Sequence, residues 1–151
     1  MKTIIVYDSM YGNTVKVANA IAGAFPASDV QVQRAVETSS IAQDTNLIII
    51  GSPTQAGRQT KTLQDFLDKV SLSSNNIIKV AVFDTRLSTK LVGIFGYAAD
   101  KIAGSLKKKG ITLLVPPEGF IVKSAKGPLK EGELERATGW GKYLANKINN
   151  H

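Results

Sequence analysis

The chain has 151 residues, 43% of them hydrophobic, and 19 Lys and Arg against 12 Asp and Glu leave a formal charge of +7. It has no cysteine and one histidine, His151, which excludes disulfides, thiolate metal sites, iron–sulfur ligation, cysteine nucleophiles and histidine acid–base chemistry. The length suits one domain over residues 1–151 with a single core, and no apolar run approaches the ~20 residues of a membrane-spanning helix.

A soluble, cytoplasmic protein is expected, because the stretch before Asp8 is too short and too soon charged for a secretory signal. The cationic excess favours acidic partners over long range. Lys107, Lys108 and Lys109 nevertheless have a plain alternative as the solvated end of a helix. Nucleic-acid binding would rest on charge alone, without an aromatic–basic platform, and is not expected.

Residues 3–8 (TIIVYD) are apolar nearly throughout, as in a strand buried on both faces. They run into Ser9-Met10-Tyr11-Gly12-Asn13-Thr14, after which Val15, Val17, Ala18 and Ile21 begin a helix near 14–24. At such a junction the loop amides and the helix N-terminus point together at a bound anion, and Ser or Thr hydroxyls add donors. Capping by Asn13 or Ser9, with Gly12 making the turn, explains the same residues without a ligand. Neither Gly-x-Gly-x-x-Gly nor Gly-x-x-x-x-Gly-Lys-Ser/Thr occurs, so a ligand here would be a mononucleotide.

The 30–35 run (VQVQRA) alternates and predicts an edge strand or one with a polar side; a short irregular piece follows at 39–43. A third strand at 47–51 (LIIIG) ends in Gly51-Ser52-Pro53-Thr54-Gln55-Ala56-Gly57-Arg58, and helical spacing resumes over 60–70. The fourth strand, 78–83 (IKVAVF), leads through Asp84-Thr85-Arg86 into a longer connection reaching Gly96. A helix at 97–109 and a fifth strand at 111–115 (ITLLV) follow, the strand ended or interrupted by Pro116 and Pro117. In the last helix, 131–148, Leu134, Ala137, Gly141, Leu144 and Ile148 form a stripe that would pack on the sheet, with Trp140 as a filler beside it.

Strands and helices in alternation predict a three-layer, doubly wound parallel α/β sheet of five strands. Ligands of such sheets sit outside the carboxyl ends of the strands, so the loops after strands one, three and four should converge.

Tyr7 to Thr14 resembles the FMN phosphate loop of flavodoxins, Thr/Ser-x-Thr-Gly-x-Thr, and more closely the Ser-Met-Tyr-Gly form of flavodoxin-like quinone reductases. Tyr11 departs from the first pattern, with a phenol where a small hydroxyl is common. Ser52-Pro53-Thr54 with Gly57 resembles the second flavin loop, and Gly127-Pro128-Leu129 with the stretch 131–137 resembles a tail of the same family. The resemblance spans the chain. It implies the flavodoxin-like strand order 2-1-3-4-5 and FMN held by Ser9, Met10, Tyr11, Gly12, Asn13 and Thr14, by Ser52, Pro53, Thr54, Gln55, Ala56 and Gly57, and by Asp84, Thr85 and Arg86. It also implies a one-electron shuttle between redox proteins, acidic ones given the charge, in a monomer or weak oligomer. By the same resemblance, the peptide at Ala56-Gly57 would turn its carbonyl toward the flavin N5 proton on reduction, which positive φ at glycine makes cheap.

Two departures stand out. The second loop carries no aromatic ring to stack on a flavin, and Phe95 and Tyr97 reach one only if the chain folds back; otherwise they pack at the start of the 97–109 helix. Arg58 and Arg86, with Lys61 and Lys90, would surround the flavin with cations, favour its reduced anion and make the second reduction potential less negative. Other readings are an FMN-dependent NAD(P)H or quinone reductase, for which the chain is short, and a flavin-free module of the same fold. A phosphorylatable receiver domain fits less well, because strand three ends in Gly51-Ser52 rather than an aspartate.

Overall fold

The computed structural model describes residues 1–72, 78–88 and 96–150. Strands β1 (Thr3–Tyr7), β2 (Val30–Arg34), β3 (Leu47–Pro53), β4 (Lys79–Leu87) and β5 (Glu118–Val122) form one parallel sheet in the order β2-β1-β3-β4-β5. They are linked by helices α1 (Asn13–Ala22), α2 (Lys61–Lys69), α3 (Ala98–Lys108) and α4 (Glu133–Asn149), with a 3-10 turn at Ala35–Glu37 after β2. This is the doubly wound α/β sheet, in the strand order that the resemblance implies.

The layers follow from which strand side chains face which way. Ile4, Val6, Ile48, Ile50, Val80 and Val82 meet Leu63, Phe66 and Leu67 of α2 and Ala99, Ile102 and Leu106 of α3. On the opposite face Ile5, Leu47, Ile49, Ala81 and Phe83 meet Val17, Ala18 and Ile21 of α1 and Ala137, Trp140 and Leu144 of α4. Strands sandwiched this way have no solvent face, which is why β1, β3 and β4 read as continuous apolar runs. β2 has one neighbour, and its exposed Gln31 and Arg34 mark the outer edge. No helix among the described residues is long and apolar enough to cross a membrane.

Trp140 packs edge-on against Phe83 and Phe120, with ring centroids 6.2 and 6.1 Å away, so it is a core filler. Leu134, expected in the buried stripe of the last helix, is exposed; Glu133 takes the buried position beside it.

The fifth strand is not the one expected. The run 111–115 touches the sheet edge through one backbone bond, Leu114 N–H to Val80 O at 2.8 Å, and the ladder forms only at Glu118–Val122, opposite Phe83–Leu87. Pro116 and Pro117 have no N–H to donate, so they do not end the strand; they separate an apolar lead-in from it. The consequence reaches function, because the displaced strand carries Val122 and the residues after it to the carboxyl rim.

Candidate functional site

At that rim the loops after β1, β3 and β5 and the carboxyl end of β4 surround a cavity of about 470 Å³, a size within the roughly 300–1,000 Å³ of small-molecule sites. Twelve of the fifteen residues singled out in the sequence stand in its wall: Ser9, Met10, Tyr11, Asn13 and Thr14 from the first loop, Pro53, Thr54, Gln55, Ala56 and Gly57 from the second, and Thr85 and Arg86 from the end of β4. Gly12, Ser52 and Asp84 are not in the wall and shape it from behind.

Gly12 precedes α1 at φ 90°, a conformation open to glycine, and its N–H donates to Ser9 Oγ at 3.2 Å. It takes the cap position itself, so neither Asn13 nor Ser9 caps the helix through its side chain. The amides of Asn13, Thr14 and Val15 have no acceptor among the described residues, so the positive end of α1 opens toward the cavity. The Thr14 and Thr85 hydroxyls share a buried hydrogen bond of 2.9 Å, joining the first loop to β4. Asn13 is buried against Gly127, where a Cβ would stand 2.7 Å from Asn13 Oδ1.

In the second loop Gln55 and Arg58 exchange both backbone bonds, N–H to O at 2.8 and 3.0 Å. Ala56 and Gly57 between them sit at φ 49° and 80°, as a two-residue hairpin turn of the primed type requires. A left-handed alanine is strained, so this turn holds conformational energy that the first loop does not. Ser52 fixes it from beneath: the Thr60 amide donates to Ser52 Oγ, and Thr60 Oγ1 donates to Asp8 Oδ2, tying the start of α2 to the end of β1. Thr54 reaches the other way, its hydroxyl accepting from the Ala98 amide at the start of α3. The Gln55 side-chain amide bridges the two loops, 2.8 Å from Met10 Sδ.

Asp84 is fully buried and takes a bidentate pair of bonds from Arg86, 2.7 and 2.8 Å, with a third from the Ala99 amide at 2.9 Å. Two donors on two oxygens is the geometry of an ionised pair. Burial pushes the Asp84 carboxyl above its ordinary range, and Arg86 and the Ala99 amide oppose that push. The Arg86 guanidinium lies over the Tyr97 ring, 3.6 Å from its centroid, and presses on Gly119, where a Cβ would fall 2.2 Å from Arg86 Nε. Tyr97 therefore packs at the start of α3; Phe95 and Lys90 lie outside the described residues.

The basic surrounding expected for the cavity shrinks accordingly. Arg86 lines the wall, yet its charge is matched by Asp84, while Arg58 and Lys61 face a separate hollow. Leu87, Val122 and Ala125 also line the cavity and escaped the sequence reading. Leu87 extends β4 beyond its expected end, and Val122 and Ala125 were hidden by placing the fifth strand before the prolines instead of after them. A strand-like run after Pro117, Gly119-Phe120-Ile121-Val122, was the signal available.

A doubly wound sheet with an open helix N-terminus at its switch point defines a class of proteins that bind phosphate-bearing ligands at the carboxyl rim. Residues 5–140 match the flavodoxin family, and the chain belongs to it. A diflavin flavoprotein A 4 from Nostoc sp. strain PCC 7120 is 34% identical over 103 residues, which is 64% of this chain and 16% of that protein. Among solved structures, a flavodoxin from the domain Archaea superposes with a TM-score of 0.76 at 24% identity, covering 99% of both chains. The rubredoxin oxygen:oxidoreductase of Desulfovibrio gigas aligns with a TM-score of 0.74 at 18% identity over 99% of this chain and 36% of that one. The chain spans a fifth or less of the length of the curated relatives it matches. Family membership points to FMN as the cofactor and supports an FMN-binding redox role.

Proposed function

We propose that the chain is an electron carrier that holds one FMN in the rim cavity and exchanges single electrons with redox proteins. The observation that carries this reading is the convergence at one cavity of the open α1 terminus with a turn held at two successive positive φ values. The residues present fit the group. Amides at Asn13, Thr14 and Val15 that have no acceptor among the described residues, and hydroxyls on Ser9, Thr14 and Thr85, suit a terminal phosphate, and Pro53, Leu87 and Val122 offer apolar walls to a flat ring.

When bound, FMN supplies the electron chemistry; the protein binds, orients and shields it. Ser9 and Thr14 would donate to phosphate oxygens, where the α1 dipole adds to the attraction. Met10 and Tyr11 are 56% and 50% exposed and line the cavity, so the first loop offers the flat apolar surface that the second lacks. Gln55, by holding Met10, would keep the two loops in register over the ring. The peptide between Ala56 and Gly57 would present a backbone carbonyl or N–H toward the ring, the choice setting which protonation state is favoured. Asp84 keeps Arg86 packed and charge-matched, which withholds a free cation from that end.

The match to 16% of the length of the Nostoc diflavin flavoprotein favours one refinement: the chain corresponds to a flavin-binding portion of such a protein, and its redox partners are then separate proteins or attached modules. Purification with and without added FMN, followed by a visible spectrum through a dithionite titration, tests the reading. Yellow protein that reduces in two resolved one-electron steps is expected. Protein that stays colourless with excess FMN would overturn it, and NADH oxidation with a quinone by the protein alone would favour a reductase instead.

A further inference from the structure

The positive charge is not spread evenly around the rim. Across the 55–58 turn from the cavity lies a second, half-open hollow of about 650 Å³ between α2 and α3. Arg58, Lys61, Lys101 and Lys108 stand around it, and Asp100 is its single lining carboxylate. Among the described residues Arg58, Lys101 and Lys108 form no ion pair, and Lys61 has only the half-exposed Asp65 at 3.4 Å. Four cations around one concavity, largely uncompensated, focus a positive field there rather than over the whole surface.

The hollow and the cavity share a wall. Gly57 lines the cavity and Arg58 the hollow, so one peptide unit separates them. Lys101 folds over the turn at Gly96, where a Cβ would lie 3.7 Å from Lys101 Nζ and 3.8 Å from Gly57 O. A body seated in the hollow therefore rests against the turn that closes the ring end of the cavity.

We propose that this hollow is the docking surface for a carboxylate-rich face of a redox partner protein, so that electrons cross at the 55–58 turn. The proposal rests on the carrier reading and specifies its partner surface. Exposed ion pairs contribute little each, and salt screens them over roughly 8–10 Å. Such a surface gives fast, weak, salt-sensitive encounters, as a shuttle that must release its partner needs.

The test compares two triple variants of equal net charge. One neutralises the hollow (Lys61→Gln, Lys101→Gln, Lys108→Gln); the other neutralises exposed lysines elsewhere (Lys79→Gln, Lys142→Gln, Lys147→Gln). Amide NMR shifts are followed as flavin-free protein is titrated with a ten-residue polyglutamate peptide at low salt. Shifts should cluster at 58–64 and 100–108, and affinity should fall at least threefold in the hollow triple but not in the control. Shifts scattered over other lysines, equal losses in both triples, or saturation by inorganic phosphate with no response to the peptide would overturn the proposal. In the FMN-loaded, dithionite-reduced protein, saturating peptide should slow reoxidation by ferricyanide at least threefold, and not in the hollow triple. An unchanged rate would remove the turn from the electron path. Protein that takes up no FMN defeats the carrier reading alone, because the shift map is measured without flavin.

Discussion

The two ends of the rim cavity are held by different physics. At the α1 end, Thr14 bonds Thr85, Asn13 is wedged against Gly127, and Gly12 sets the helix start, so donors are fixed before any ligand arrives. At the far end the 55–58 turn is closed by its own backbone, with alanine and glycine in left-handed conformations and exposed Ala56 at its tip. The first arrangement is rigid and suits a constant group; the second keeps a strained peptide between two supports and suits a group whose protonation changes. Behind the far end, buried Asp84 and partly buried Arg86 form a pair that steadies the wall.

The largest expected effect comes from breaking that pair. Asp84→Asn leaves the Arg86 guanidinium without its counter-charge, and removal of one buried partner costs about 3–5 kcal/mol. Urea unfolding should show a loss on that scale. In FMN-loaded protein the freed cation should also make the second reduction potential less negative. A stability loss below about 1 kcal/mol would show that the pair does not support the wall.

Thr14→Val attacks the rigid end. It deletes the hydroxyl that pairs with buried Thr85 Oγ1 at 2.9 Å, and an orphaned buried hydroxyl costs about 1–3 kcal/mol. FMN affinity, read by fluorescence quenching, should fall about tenfold, the equivalent of about 1.4 kcal/mol. Unchanged affinity would take Thr14 out of the phosphate site.

Gly57→Ala sharpens the contrast, since it burdens only the strained end. At φ 80° the added Cβ costs about 1–2 kcal/mol. The gap between the two one-electron potentials should narrow by about 60 mV, which is about 1.4 kcal/mol for one electron, while FMN affinity changes less than in Thr14→Val. An unchanged gap would show that this peptide does not respond to reduction.

The smallest effect concerns the strand that closes the cavity. Glu133 accepts from Arg136 and from the Ile121 amide, and Arg136 foremost holds its carboxyl below the ordinary glutamate value of 4.5. A depressed folded value means that this stabilisation is present above pH 4.5 and disappears as pH falls through the folded value. Glu133→Gln should lose about 1 kcal/mol at neutral pH, and the difference from the parent should vanish at low pH. A difference that persists unchanged in acid would place the effect outside titration.

Much of the fold was legible because burial on both sides of a parallel sheet leaves a local mark. β1, β3 and β4 carry apolar runs at 4–6, 47–50 and 80–83, β2 alternates, and the Ser9 to Thr14 and Ser52 to Gly57 stretches stand at strand ends just where a doubly wound sheet binds. The fifth strand lies after the prolines and not at 111–115; that run is as apolar as a strand and local pattern cannot tell lead-in from ladder, so backbone pairing with β4 decides it. Along with it went Val122 and Ala125, whose place in the cavity depends on register.

The sequence by itself determined the alternation of elements, the central strands and the residues that gather at the rim, since these follow from period, burial and turn chemistry along the chain. Only the tertiary structure decided which charges count. Arg86 looks like a free cation in the sequence, yet it is matched by a carboxylate two residues away on the same strand, brought in line by its packing on Tyr97 and Gly119. Arg58, Lys61, Lys101 and Lys108 are scattered over fifty residues of chain and form one field only when α2 and α3 lie side by side. Electrostatic interaction depends on distance in space, and that distance is set by the fold.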